Sequence, residues 1–281
     1  MKEIPVSKIV DTVQQLCIDA NYYIGHDVTD CMKANLAEEA SPVGKEIINQ
    51  ILENNALAAK KQMPMCQDTG VAVVFLTVGQ EVHIVGGSLY EAIQEGVRQG
   101  YEKGYLRKSM VYDPVMQRVN TRDNTPAIIH TEIVPGDTLE ITIAPKGAGS
   151  ENMSELRMMT PSDGLDGVIR FVVERVKKAS GNPCPPVVVG VGIGGNFEQS
   201  ALLSKKALLR PLGTRHPEEF YANLERTLLE KINHLGIGPM GLGGSTTALD
   251  VHIETMACHI ASMPVAINIQ CHASRHKSAI L

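Results

Sequence analysis

Pro186-Val187-Val188-Val189-Gly190-Val191-Gly192 is a short apolar run rich in β-branched residues, and it reads as a buried strand. It continues through Ile193-Gly194-Gly195 to Asn196, from which residues 196–209 read as a helix. A buried strand that turns on glycines into a helix is an α/β unit. Working outward, residues 71–78 and 81–85 read as strands, and Gly86-Gly87 leads into Ser88-Leu89-Tyr90-Glu91. Those four residues form a capping box that opens a helix to about residue 102. Residues 127–134 and 138–144 flank Pro135-Gly136-Asp137, the signature of a hairpin. Further helices are expected over Val168, Ile169, Val172 and Val176, closed by Gly181, and over residues 217–234. Strands are expected near 249–255 and 265–270.

Residues 1–62 have a different texture. Ile9, Val10, Val13, Leu16, Cys17 and Ala20 recur at helical spacing, and Ser41-Pro42 caps a helix carrying Ile47, Ile48, Ile51 and Leu52. The expected architecture is therefore mixed α/β: a helical N-terminal subdomain over 1–62, packed on and continuous with a mixed α/β catalytic domain over 63–281.

Composition narrows the function classes. The 281 residues include 26 basic and 31 acidic side chains, a net charge of −5, with no basic block or basic/aromatic stripe. Nucleic acid and anionic membrane are excluded as expected partners. The longest apolar runs, such as 71–78 and 185–191, are too short to span a bilayer. The N-terminal Met-Lys-Glu-Ile-Pro-Val-Ser lacks the apolar centre of a signal peptide, so a soluble cytoplasmic protein is expected. With no Trp, 4% aromatic residues and 12 Met, the core is aliphatic and methionine-filled. Six cysteines without a secretion signal or a CxxC pair argue against a disulfide framework.

Three patterns can carry chemistry. Gly190-Val-Gly-Ile-Gly-Gly195 matches GxGxxG between a strand and a helix, the setting of a dinucleotide fingerprint for an NAD-dependent oxidoreductase. Some twenty residues on, however, the chain reads Arg210-Pro-Leu-Gly-Thr-Arg-His-Pro rather than a strand ending in an acid, and a plain strand-to-helix turn is the alternative. Cys258, His259, Cys271, His272 and His276 form a group with zinc-ligand chemistry, as in a zinc-binding structural domain, although no ordered fork pairs them. Most specific are three cysteines beside turn-forming or polar residues: Met65-Cys66-Gln67-Asp68-Thr69-Gly70, Gly181-Asn-Pro-Cys184-Pro-Pro186 and Asn268-Ile-Gln-Cys271-His-Ala-Ser-Arg275. Three thiolates suit a [4Fe–4S] cluster with one iron left unligated by protein. Cys17 and Cys31, in the helical region, read as structural.

The segment Met65 to Gly70, with Asn120-Thr-Arg-Asp-Asn-Thr-Pro-Ala127, Lys146-Gly-Ala-Gly-Ser150, Gly190 to Gly195 and Cys271-His-Ala-Ser-Arg275, resembles class I fumarate hydratases. The likeness is closest to the α subunit of the two-subunit form and of the L-tartrate dehydratases. It runs from about residue 10 to the end, with the motifs in the same order. The resemblance implies a [4Fe–4S] cluster held by Cys66, Cys184 and Cys271, its open iron acting as Lewis acid in the reversible hydration of fumarate to (S)-malate, a step of the tricarboxylic acid cycle. Tartrate and methyl-substituted fumarates are the alternative substrates. It further implies Asp68 and His259 as catalytic groups, and Gln67, Arg107 and the Gly147-Ala148-Gly149 loop as binders of a small dicarboxylate. Ala148 departs from the family's Lys-Gly-Gly-Gly-Ser pattern. Each has a plainer alternative: an Asx-turn for Asp68, a surface ion pair for Arg107, a buried satisfied ring for His259. Asn120 to Pro126 reads as a turn supporting the site, and Arg275 either holds the cluster loop or touches substrate. Single-chain members continue past the third cysteine, whereas this chain ends ten residues after Cys271. The expectation is a separate β subunit that supplies the catalytic base, within an α2β2 hetero-oligomer.

Overall fold

A computed structural model of the chain describes residues 2–281. In chain order the elements are β1 (Lys2–Pro5), α1 (Val6–Tyr22), α2 (His26–Glu38), α3 (Pro42–Lys61), β2 (Val71–Gly79), β3 (Val82–Val85), α4 (Leu89–Lys103), β4 (Ile128–Val134) and β5 (Leu139–Lys146). They continue with α5 (Ala148–Glu151), β6 (Glu155–Met159), α6 (Gly164–Ala179), β7 (Val187–Gly194), α7 (Phe197–Ala207), α8 (Glu219–Asn233), β8 (Ala248–Met256), β9 (Met263–Gln270) and β10 (Lys277–Ile280). The mixed α/β class read from the sequence is what the chain adopts. No helix among the described residues is long and apolar enough to cross a membrane.

Two compact units result. Unit 1 takes the segment ending at Ile24, Asn54–Ala148 and Arg275–Leu281, and unit 2 takes Gly25–Glu53 and Gly149–Ser274. The first 62 residues are thus shared out rather than grouped. The physical reason lies in α1, whose apolar stripe of Ile9, Val13, Leu16 and Cys17 is buried on unit 1's own core with α4, β2 and β5. A helix of this length gains most of its stability from such burial rather than from its sequence neighbours.

Unit 1 holds a four-stranded sheet in the order β10-β5-β2-β4, and a two-stranded parallel pair, β1-β3. β2 runs antiparallel to β5 and parallel to β4. The hairpin expected between 127–134 and 138–144 is therefore absent. β2 carries five successive buried residues and sits between the two strands, and the turn bonds to β2's end instead, with Gly79 N–H donating to Thr138 O at 2.8 Å. The helix expected after Ser88 is present, and Ser88 Oγ accepts the Glu91 N–H. α1 and α4 meet on glycine: a Cβ on Gly96 would lie 2.6 Å from Val13 Cβ, and one on Gly100 2.7 Å from Cys17 Cβ.

Unit 2 holds a second four-stranded sheet, β6-β9-β7-β8, with β7 parallel to β8 and antiparallel to β9. Alternate residues Val187, Val189, Val191 of β7, Val251, Ile253 of β8 and Val265, Ile267, Ile269 of β9 pack with Phe171, Val172 and Val176 of α6 and Leu228 and Ile232 of α8. The opposite registers of β7 carry Gly190 and Gly192 under α7. A Cβ on either would lie 2.1 Å from a backbone oxygen of that helix, Ser204 O or Ser200 O respectively. The Gly-rich stretch is a seat for a helix on a strand. Asn196 then caps α7 by accepting the Gln199 N–H at 3.1 Å.

Because the obstructing atoms are backbone, Gly192→Ala must displace α7 or bend β7. The expected cost is about 1–3 kcal/mol, read as a lower denaturation midpoint. An unchanged midpoint would show that α7 does not need this close approach.

Candidate functional site

The sequence-predicted residues of unit 1 collect at one end of its sheet. β2 begins where β5 ends, with Val71 paired to Lys146, and β10 begins beside Ile143. The loop bearing Cys66, Gln67 and Asp68 therefore lies next to Gly147-Ala148 and to Arg275. Asp68 is the centre of this group. One carboxylate oxygen accepts the Gly70 N–H at 3.0 Å, which closes an Asx-turn, and the other accepts the Ala148 N–H at 2.9 Å. The anion that the Lys146 to Ser150 loop approaches in this chain is thus Asp68 itself, and a Cβ on Gly147 would come within 3.0 Å of it. Arg275 is buried and donates from Nη2 to the Asp68 backbone oxygen, so it holds the Cys66 loop. Cys66 is half-buried, with its thiol donating to Gln67 Oε1 at 3.4 Å, and Gln67 is exposed. Arg107 joins the group by its backbone, whose oxygen accepts from Thr69 Oγ1 at 3.0 Å, while its guanidinium is exposed.

Two residues fix this loop, Tyr101 outside the quoted motifs and Asn124 within the Asn120 to Ala127 segment. Tyr101, fully buried on α4, directs its hydroxyl at Thr69 O and Gly70 O, at 2.9 and 3.0 Å. Asn124, also fully buried, donates to Gly70 O and accepts the Ser109 N–H at 2.7 Å. The segment from Asn120 to Pro126 is thus a structured turn that reaches the site through Asn124. A buried Asn in a polar, Gly-free stretch is the signal that points to such a role.

In unit 2, Cys184 precedes β7 and Cys271 follows β9, at the same end of that sheet, since Val188 pairs with Gln270. The two loops adjoin, with the His272 N–H donating to Cys184 O at 3.3 Å. Cys184 is exposed, on a left-handed backbone (φ 55°), and Cys271 is half-buried. Gly149 belongs here too, 3.7 Å separating its Cβ position from Asn182 O. His259 does not. It lies in the turn after β8, and the eight residues of β9 separate it from Cys271, about 26 Å at strand rise. A fixed sequence offset from a ligand carries no proximity when a whole strand fills the offset. His259 is exposed, its Nδ1 accepting the Ala261 N–H at 3.1 Å, which puts the ring proton of the neutral form on Nε2.

Among the described residues no group of three or more His, Cys, Asp or Glu side chains gathers as a metal site. Cys258 and His259 sit at the far end of the unit 2 sheet from Cys271, which removes the zinc grouping. The donor chemistry separates the remaining cysteines into two kinds. Cys17 is fully buried, and burial pushes its thiol up to about 12. Burial, reinforced by Asp250 and Asp27, pushes Cys31 up to about 11. Such thiols stay protonated and make poor ligands. Cys66, Cys184 and Cys271 instead stand in loops at strand ends, with two of their loops hydrogen-bonded to each other. As sulfur donors these three fit a thiolate-held cluster.

The sequence matches the family model described as "Fumarate hydratase (Fumerase)" over residues 10–280. The chain belongs to the fumarate hydratase family. It is 46% identical, over 95% of each chain, to the "Putative L(+)-tartrate dehydratase subunit alpha" of Methanocaldococcus jannaschii. It is 35% identical to the "L(+)-tartrate dehydratase subunit alpha" of Escherichia coli O157:H7, over 100% of this chain and 93% of that one. With the corresponding Escherichia coli UTI89 chain it shares 36% identity, over 98% and 91%.

Unit 2 also holds a buried carboxylate. Glu39 accepts backbone N–H groups from Ser41, Ser245 and Thr246 at 2.8, 2.8 and 2.7 Å. Burial alone raises its pKa, but these hydrogen bonds outweigh burial and bring it from 4.5 to about 2. A carboxyl depressed on folding stabilises the fold fully above its unfolded value near 4.5, and that contribution is lost as pH falls through about 2. Glu39→Gln is therefore expected to cost about 3 kcal/mol at neutral pH. The gap to wild type should close between pH 4.5 and 2 in acid denaturation curves. A gap of constant size would show that the charge is not what the N–H groups hold.

Proposed function

We propose that this chain is the α subunit of a hydro-lyase that reversibly hydrates fumarate to (S)-malate, with Cys66, Cys184 and Cys271 holding a [4Fe–4S] cluster as thiolates. The observation that carries the reading is the placement of these three cysteines in loops at strand ends, in a chain that its family covers over residues 10–280. When bound, a cluster with three cysteine ligands supplies an open iron as Lewis acid for hydroxyl and carboxylate oxygens.

The chain's own residues then bind and orient. Asp68, fixed by the Gly70 and Ala148 N–H groups, accepts a hydrogen bond from the substrate hydroxyl or from the incoming water and sets its direction. Arg107, exposed beside that loop, pairs a substrate carboxylate through two parallel N–H bonds, and the Gln67 amide donates alongside it. Gly147 and Ala148 are small residues beside Asp68, against which a planar dicarboxylate can lie. Removal of the proton on carbon falls to a base on a separate β subunit, in an α2β2 assembly. Support for such a partner comes from the relatives' names as α subunits. It also comes from Tyr105, Tyr112, Val115 and Met116, large exposed side chains in the segment 105–116 that includes Arg107.

A second reading replaces malate by L(+)-tartrate, which differs by one hydroxyl, and the relatives' names favour it. Comparing kcat/KM for the two acids separates the readings. In anaerobic reconstitution the wild type should bind about four irons per chain, and Cys66→Ser, Cys184→Ser and Cys271→Ser should each lose most of them. Asp68→Asn should keep the iron and lower kcat by roughly 10²–10⁴-fold. Iron retained in all three serine variants, or full turnover by the chain alone, would overturn the proposal.

A further inference from the structure

Residues 236–246 form a glycine-rich loop that precedes β8, at the same end of the unit 2 sheet as Cys184 and Cys271. Gly236, Gly238, Gly241, Gly243, Gly244 and Met240 all have left-handed backbone, so the loop is wound rather than extended. One side of it rests on the Cys184 segment. Met240 N–H donates to Pro185 O at 2.8 Å, and Gly241 and Gly181 approach until a Cβ on Gly241 would lie 2.6 Å from Gly181 Cα. The other side is pinned by Glu39 through the Ser245 and Thr246 N–H groups, and by Thr247 Oγ1, which accepts the Gly238 N–H at 3.1 Å. Gly244 leaves room for the Glu39 carboxylate, since a Cβ there would lie 2.7 Å from its oxygen. A buried anion on one segment thus sets a loop that carries the next segment, the one holding Cys184.

We propose that Glu39 and the 236–246 loop are positioning elements for the Cys184 sulfur: the carboxylate fixes the loop, and the loop fixes the backbone from which Cys184 is presented. This rests on the reading of Cys184 as a cluster ligand. Two glycines of the same loop supply the test. Gly241 and Gly243 have similar backbone (φ 76° and 87°), so alanine strains both alike, but a Cβ on Gly243 meets nothing within 4 Å. In the full-length, iron-free chain, alkylation by iodoacetamide is followed at Cys184 relative to Cys258, an exposed thiol at the other end of the sheet. The same proteins are reconstituted anaerobically, and iron content and the electron paramagnetic resonance spectrum of the reduced cluster are recorded. Gly241→Ala is expected to shift the Cys184:Cys258 ratio several-fold and to lose iron or alter the spectrum, while Gly243→Ala keeps wild-type values. Equal behaviour of the two variants, or a wild-type ratio in folded Gly241→Ala, overturns the proposal. Should Gly241→Ala fail to fold by circular dichroism, Glu39→Asp is read in its place, with the same shift expected and an unchanged ratio overturning. A wild type that binds no iron refutes the ligand reading, whereas the alkylation comparison still decides the role of the loop.

Discussion

Strand β2 lies between β5, which runs against it, and β4, which runs with it, and that register decides which loops meet at each end of the sheet in unit 1. The start of β2 must adjoin the end of β5, so the Cys66 loop and the Gly147-Ala148 turn are brought together by strand pairing alone. The Asp68 carboxylate then joins the two by accepting an N–H from each. A carboxylate with both oxygens on backbone donors has little rotational freedom. The same rule acts in unit 2, where β7 and β9 run oppositely and deliver Cys184 and Cys271 to one end. The positions of the candidate side chains in both units are therefore consequences of strand direction before they are consequences of side-chain packing.

The same constraint separates residues that are neighbours in sequence. In unit 2 the β8–β9 turn is at the opposite end from Cys271, because β9 must run its full length between them. His259 is near Cys271 in sequence and far from it in space. Cys184 and Cys271 are the reverse case, far apart in sequence with adjoining loops. The alternation of Val265, Ile267 and Ile269 already marked a strand. A ligand candidate on each flank of one strand belongs to opposite ends, and that inference was available from the pattern.

Legibility in the sequence followed the strength of local signals. The strand of 187–194 and the helix after Asn196 were readable because β-branched residues, glycines and a capping Asn agree with one another. The helix after Ser88 was readable for the same reason. Pairing was not. The Pro135-Gly136-Asp137 turn looked like a hairpin, yet the partner of both flanking strands is β2, buried along most of its length and competing for their edges. β1, β6 and β10 were missed because four or five residues with mixed burial carry too little period to register. Among the candidate site residues, the three loop cysteines stood out beside turn-forming and polar residues, and Asp68 entered through the family resemblance. Asn124 lay in the quoted Asn120 to Ala127 segment, whereas Tyr101 did not stand out, since a residue that acts by holding a carbonyl shows no motif of its own.

Glycine has two separate duties here, and only geometry tells them apart. Gly190 and Gly192 lower α7 onto β7, where even one methyl would meet a helix carbonyl. Gly96 and Gly100 do the same for α1 against α4. Gly70 and Gly241 instead combine a left-handed backbone with a close backbone neighbour, so neither the conformation nor the space admits a side chain. Glycines of the first kind occur inside regular elements and stabilise packing. Those of the second kind occur in the loops beside Asp68 and Cys184, where the chain must turn sharply and still present a polar group in a fixed direction. A glycine pattern of the GxGxxG type is therefore weak evidence for a cofactor until the backbone angle and the nearest atom of each glycine are known. In this chain those two quantities assign 190–192 to packing and leave the chemistry with the loops.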